Sequence, residues 1–318
     1  MEAIFLKPSF QEKIWGGNKL RTDFGLDIPS AKTGEAWVVS AHPNGLSYVT
    51  SPKEYAGMSL KDLYEQEQEL FGPNHPTPFP LLVKILDATE DLSIQVHPDD
   101  SYAKLHEGEN ELGKTECWYV ISADEGAKIV YGHHANSAEE FNQYIEEGQL
   151  DKVFRELPVK AGDFFDVPAG TIHAIGGGIT ILETQQSSDT TYRVYDYERT
   201  DDEGKQRELH LRQSLDVTLF PHQDSPFTKQ NLQTEVNRMN QLVENDYFKV
   251  YKLDVDGQMT ANLASDYYLA TVIEGEGTLR LNGKEYTIKP ADTFILPHGL
   301  KALELVGNMN LIMSCSTE

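Results

Sequence analysis

The stretch Val159–Thr184, "VKAGDFFDVPAGTIHAIGGGITILET", decides the fold because it occurs twice. Its counterpart is Ile288–Ser314, "IKPADTFILPHGLKALELVGNMNLIMS". In each copy an Asp precedes a short apolar strand, then come a Pro, a Gly and a further strand. A glycine turn between two strands lies upstream of each, in "VISADEGAKIVYG" and "TVIEGEGTLRLNG". Self-similarity of this kind marks a repeated structural unit. Setting Gly126 against Gly277 and Asp163 against Asp292 makes the first copy longer by roughly twenty residues. That excess matches "SAEEFNQYIEEGQLDKVFRELP", Ser137–Pro158, which reads as two short helices broken near Gly148 and opened by a capping box of Ser137 and Glu140. One more helix is expected over Ser59–Gly72, with a Ser N-cap and a closing Gly. Nearly everything else alternates, as in "TECWYVISA", "ITILETQ", "YYLATVIEG" and "GTLRLNG", which predicts an antiparallel sandwich or barrel.

Strand, glycine turn, strand, then G-D-x-x-x-x-P-x-G-x-x-H is the pattern of the cupin barrel, a small jelly roll that often holds a metal in its mouth. The expected fold is therefore mainly β, with two cupin-type jelly-roll barrels and a small helical insertion at about 137–158. The expected division is a catalytic, metal-binding part over 1–235 and a metal-free cupin over 236–318.

Composition bounds the function. Of 318 residues, 39% are hydrophobic, enough to bury a core. Basic residues number 27 against 51 acidic ones, a net charge of −24, which repels nucleic acid and anionic membrane surfaces. An anionic substrate would therefore need a local cluster of Lys and Arg. There is no signal-like N-terminus and no run of 18 apolar residues, so no membrane association is expected. The two cysteines, Cys117 and Cys315, read as buried apolar side chains of a cytoplasmic protein.

In "SIQVHPDD", Ser93–Asp100, Gln95 and His97 share one face of a strand while Ile94 and Val96 take the other. Aligning the repeats sets His173 against Ala302, so one copy keeps an imidazole that packing does not require. Glu116 opens the strand "ECWYVIS" at a polar position of the alternation. Gln95, His97, Glu116 and His173 thus form a candidate mixed N/O donor set. It suits zinc, without excluding manganese, iron or nickel.

These residues lie within a broader similarity. "WGG" (Trp15–Gly17), "GEAWVVSAHPNG", "LLVKILDA", "LSIQVHPDD", "GKTECWYV", "VPAGTIHAIGGG" and "SSDTTYRVYDYER" together resemble the type I phosphomannose isomerases, in their short bacterial form. The resemblance runs nearly end to end. It implies one zinc per chain on Gln95, His97, Glu116 and His173, an active-site arginine at Arg193, and interconversion of mannose 6-phosphate and fructose 6-phosphate through a cis-enediol. Glu183, Lys114 and a metal-bound hydroxide are the candidate bases. Ser93, Lys84, Lys114 and Arg193 are the candidate contacts to the sugar phosphate, with Arg199 on an exposed turn. The expected partner is a small sugar phosphate, and the expected state a monomer or weak dimer. A cupin enzyme of other chemistry and a non-catalytic sugar-phosphate sensor are the competing readings. The sensor would be expected to lack a metal ligand or Arg193.

Overall fold

The sequence repeat is a repeat of hydrogen bonds. In the computed structural model, which describes every residue except Asn74, His75, Asp202 and Glu318, the Val120 N–H donates to the Asp163 carbonyl at 2.9 Å and the Val272 N–H to that of Asp292 at 3.0 Å. Gly162 N–H returns a bond to Val120, and Ala291 N–H to Val272, each at 2.9 Å. Both aspartates also accept from a backbone amide three residues earlier, Lys160 at 3.0 Å and Lys289 at 2.9 Å. The residue before each Asp is left-handed, with φ of +89° at Gly162 and +66° at Ala291. Strand order repeats as well. Phe164–Val167 pairs with Glu116–Ala123 and that with Ile179–Gln186, as Thr293–Leu296 pairs with Tyr268–Leu281 and that with Ala302–Ser316.

The copies part at their corners. In the second, the segments "YYLATVIEG" and "GTLRLNG" form one strand of 14 residues, because a bulge between Val272 and Glu274 and a left-handed Gly275 bend the ladder without ending it. In the first copy the corresponding strands are cut, at residues 124–127 and at Gly176–Gly178, and the pieces enter different sheets. One sheet has six strands, in the order Phe164–Val167, Glu116–Ala123, Ile179–Gln186, Leu81–Ala88, Ser9–Gly17, Thr33–Val39. The other has five, in the order Tyr192–Tyr195, Ile94–Val96, His173–Ile175, Lys128–His133, Phe154–Pro158. A cluster including Trp15, Trp118, Tyr131, Phe165, Ile175 and Ile181 draws on both sheets.

The mainly β architecture with a helical insertion is as expected, but the jelly-roll barrels are not. Among the described residues no sheet closes: the end strands of the six-, five- and eight-stranded sheets pair with nothing at the opposite end. Apolar faces can be buried between open sheets without closing bonds, and edges can be protected in other ways. Phe164, on one edge, exchanges bonds of 3.0 and 2.8 Å with Lys229 of a passing loop. The eight-stranded sheet also takes Ile4–Lys7 and Tyr48–Ser51 from the start of the chain, with Ile4–Lys7 seated between Thr293–Leu296 and Tyr48–Ser51.

Ser59 caps the helix Leu60–Gln66, its Oγ accepting from Asp62 N–H at 3.0 Å, and Ser137 caps Ala138–Glu146 in the same way. A short helix Leu150–Val153 follows the break at Gly148. Phe154–Pro158, expected as helix, is instead a strand on Lys128–His133, where an open sheet edge overrides local helix preference. Among the described residues no helix is long and apolar enough to cross a membrane.

Asp166 gives the core a pH response. It is 3% exposed, its Oδ2 accepts from Ser225 Oγ at 2.6 Å, and its Oδ1 has no hydrogen-bond partner among the described residues. Burial raises its pKa to about 6. The unfolded chain releases this proton near pH ~4, so the folded state loses stability as pH rises from there through the folded value. Asp166→Asn removes that penalty and is expected to raise the melting temperature at pH 8 by roughly 2–6 °C, with little gain at pH 4. Thermal melts at both pH values check this; an equal gain at both would contradict it.

Candidate metal centre and cleft

Strand pairing assembles the site. Ile94–Val96 lies between His173–Ile175 and Tyr192–Tyr195, with Gln95 directly opposite His173 on one side and Arg193 on the other. On the six-stranded sheet, Glu183 stands opposite both Trp118 and Lys84, and Lys84 opposite Trp37. Directly opposed residues share a face, so Trp118, Glu183, Lys84 and Trp37 form a row. Glu116, two residues before Trp118, is on the same face.

His97, Glu116 and His173 bring ligand atoms within 4.8 Å of one another, and all three are buried. Glu116 Oε2 lies 3.4 Å from His97 Nε2, and Glu116 Oε1 lies 3.3 Å from His173 Nε2. Gln95 Nε2 is 3.3 Å from His173 Nε2, so turning the amide over would present its oxygen at the same place. His97 Nδ1 sits 2.9 Å from the Thr190 carbonyl and His173 Nδ1 sits 2.9 Å from that of Thr171. A carbonyl only accepts, so each Nδ1 carries the proton and each Nε2 offers its lone pair to the shared centre.

Burial, reinforced by the Lys114 charge, pushes the His97 imidazole down to about 3, and burial lowers His173 as well. Both rings are therefore neutral, the form that ligates metal. Burial alone would raise the Glu116 carboxyl, but the Lys114 ammonium 3.4 Å away is the strongest opposing influence, and Glu116 lies well below the usual carboxylate range. Two neutral imidazoles and a carboxylate would gain nothing from converging unless something lay between them. Among the described residues, His97 Nε2 is buried with no hydrogen-bond partner and Glu116 Oε2 has only the Lys114 ammonium at 3.4 Å; an unpartnered buried polar atom costs free energy in an ordinary core. Donors at about 2.0–2.1 Å around a four-coordinate ion are separated by about 3.3 Å, the spacing found here. The residues fit a metal.

Beside this centre lies a cleft lined by Lys84, Ser93, Gln95, Lys114, Glu116, His173, Glu183 and Arg193, while His97 is buried next to it. Glu183 Oε2 is 3.1 Å from Lys84 Nζ, and its Oε1 accepts from the Trp118 indole at 3.1 Å. Burial and the Glu116 charge nonetheless raise the Glu183 carboxyl. Burial would lower the Lys84 ammonium, yet Glu183, Glu35 and Asp189 together raise it. Arg193 donates through Nε to Ser93 Oγ at 3.2 Å and through Nη1 to the Glu208 carbonyl at 2.9 Å. Arg199 is turned to Asp196 at 2.7 Å and does not line the cleft.

Sequence reasoning passed over several lining residues: Lys13, Glu35, Asp189 and Arg207. Glu35 carried a signal, as the charged residue within the otherwise apolar run "EAWVV". All three tryptophans are buried and also touch the site: Trp15 and Trp118 line the cleft, and Trp37 Nε1 donates to Glu35 at 2.6 Å under the Lys84 ammonium.

The chain can now be set beside known proteins. Residues 4–120 match the phosphomannose isomerase type I catalytic domain, and residues 238–316 match the mannose-6-phosphate isomerase cupin domain. A mannose-6-phosphate isomerase of Streptococcus mutans is 50% identical over 321 residues, covering 100% of this chain and 99% of the relative. The crystal structure of the mannose 6-phosphate isomerase from Bacillus subtilis superposes with a TM-score of 0.94 at 44% identity, over 99% of this chain and 100% of that one. A zinc-bound mannose 6-phosphate isomerase, at 16% identity and a TM-score of 0.79 over the full length of both chains, shares the fold. Similarity at this level along the whole sequence, on a scaffold that gathers a buried His–Glu–His centre beside a cation-bearing cleft, makes the chain a member of the type I phosphomannose isomerases of the cupin superfamily, in their short bacterial form.

Proposed function

We propose that the protein interconverts mannose 6-phosphate and fructose 6-phosphate, with one zinc ion held by His97, Glu116, His173 and the Gln95 amide oxygen. The observation that carries this reading is buried His97 Nε2, which among the described residues has no hydrogen-bond partner and faces Glu116 Oε2 at 3.4 Å beside the cleft. The three-ligand centre suits a divalent ion, and zinc is favoured by the neutral imidazoles, the single carboxylate and the absence of a thiolate, which is typical of an open catalytic site. When bound, zinc supplies Lewis acidity toward the oxygens at C1 and C2 of the open-chain sugar.

The chain's own side chains supply the rest. Arg193, held by Ser93 and the Glu208 carbonyl, sets a permanent positive charge where the enediolate develops negative charge. The proton that moves between C2 and C1 needs a carrier in the cleft, and Glu183 has a raised carboxyl whose two oxygens are fixed by Trp118 and Lys84. Lys114, also a candidate base in the sequence, instead balances the Glu116 carboxylate, and Lys84 balances Glu183. Residues 236–318 support this centre by packing. The protein works in the cytoplasm as a monomer or weak dimer on a free sugar phosphate.

Zinc-loaded protein given mannose 6-phosphate in deuterium oxide should form fructose 6-phosphate, with the exchange at C1 and C2 visible by proton NMR. Absence of conversion by protein carrying one zinc per chain would overturn the assignment.

A further inference from the structure

We propose that Arg207 is the residue that selects a phosphorylated sugar, acting as the clamp for the phosphate dianion at the rim of the cleft. This rests on the isomerase reading above. The starting point is the charge balance inside a protein of net charge −24. The inner cations of the cleft are already matched by carboxylates: Lys84 with Glu183 at 3.1 Å, Lys114 with Glu116 at 3.4 Å, and Lys13 with Glu35 at 3.3 Å. Asp189 adds a further negative charge among them. Counted as side chains alone, without a bound metal ion, that interior carries no surplus positive charge for an anion.

The rim differs. Arg199 and Arg207 both pair with one buried carboxylate, Asp196, three residues after Arg193, and Arg199 also lies 3.9 Å from the largely exposed Glu90. Arg193 and Arg207 line the same cleft, and after burial it is the Arg207 charge that most lowers the Arg193 guanidinium. They are also tied through the chain, since Arg193 Nη1 donates to the carbonyl of Glu208, next to Arg207, and His210 N–H donates to the Arg193 carbonyl at 2.7 Å.

Donor counting separates the three. Arg199 commits Nε and both Nη groups to Asp196 and the Asp91 carbonyl, and it does not line the cleft. Arg207 lines the cleft and forks onto Asp196 through Nε at 2.8 Å and Nη2 at 2.5 Å. A guanidinium has five N–H donors, so this fork leaves three for a ligand while fixing the plane of the group. Its side chain is 27% exposed, against 4% and 5% for Lys84 and Lys114, so a dianion can reach it with little loss of hydration. Planar, pre-set guanidinium donors are the usual partners of phosphate oxygens.

The test uses the zinc-loaded full chain as wild type, Arg207→Ala and Arg207→Lys, with two readouts. In turnover, Arg207→Ala should raise KM for mannose 6-phosphate about 10–100-fold while kcat stays within about 3-fold, because the phosphate is held equally in ground and transition states. In calorimetry, inorganic phosphate should bind Arg207→Ala more weakly by at least about 10-fold, with Arg207→Lys in between in both readouts. Unchanged KM and phosphate affinity in Arg207→Ala, or loss of kcat at constant KM, would overturn the proposal. Should Arg207→Ala fail to fold, Arg207→Lys with wild-type KM and phosphate affinity would do the same. The phosphate titration needs no turnover, so a wild type that binds phosphate without isomerising would sink the isomerase reading and leave the clamp standing.

Discussion

Glu116→Gln and His173→Ala are each expected to lower kcat/KM for mannose 6-phosphate by more than about 10³-fold and to reduce bound metal well below one per chain, since Lewis-acid stabilisation of the developing charge is worth several kcal/mol. The geometry makes the two failures different. Glu116→Gln keeps the shape of the side chain but removes the charge that draws Lys114 to 3.4 Å, leaving an ammonium 5% exposed with no counter-charge from that position. Breaking a buried pair on one side costs about 3–5 kcal/mol, so this variant should also melt at lower temperature. His173→Ala removes a ring packed edge-on against Trp118, with centroids 5.4 Å apart, and leaves a cavity beside the Gln95 amide. Metal analysis, melting and turnover on the same preparations check both. Either variant isomerising at near wild-type rate without metal would count against the centre.

Arg193→Ala is expected to cost about 10²–10³ in kcat, with kcat/KM falling by a similar factor and KM little changed, the range for removing one preorganised electrostatic donor. The reason lies in position. Arg193 stands directly opposite Gln95, which stands directly opposite His173, so its charge belongs to the strand row that carries Gln95 and His173. Arginine stays protonated across the working pH range, so it stabilises negative charge without acting as the base. Ser93 and the Glu208 carbonyl hold it in place before substrate arrives. A KM-only loss in a variant that keeps its metal would move Arg193 to phosphate binding. With Arg207→Ala expected to act on KM, the two arginines should separate cleanly in one set of kinetics.

Much of the site was legible because period-two alternation and an internal repeat are local signals. Gln95 and His97 declared themselves by sharing a strand face, and His173 by standing where the second copy has Ala302. The hydrogen bonds around Asp163 and Asp292 show the same repeat in the backbone. The barrels did not follow, because whether a strand bends through a corner, as at Gly275, or is cut there, as at Gly176–Gly178, depends on which edge receives the next piece. The same long-range pairing turned Phe154–Pro158 from helix into strand. Arg207 was hidden for another reason. Its stretch "GKQRELH" carries no motif that singles it out, and only the folded chain brings Asp196, eleven residues earlier, against it.

The most direct test of the account is a zinc titration of metal-free wild-type protein, with turnover of mannose 6-phosphate and bound zinc read on the same samples. Activity should be absent at the start, rise linearly with zinc and break at one equivalent per chain, with the His97 and His173 ring signals shifting in step. Full turnover before any zinc is added, or a rise in activity with no change at either histidine, would contradict it.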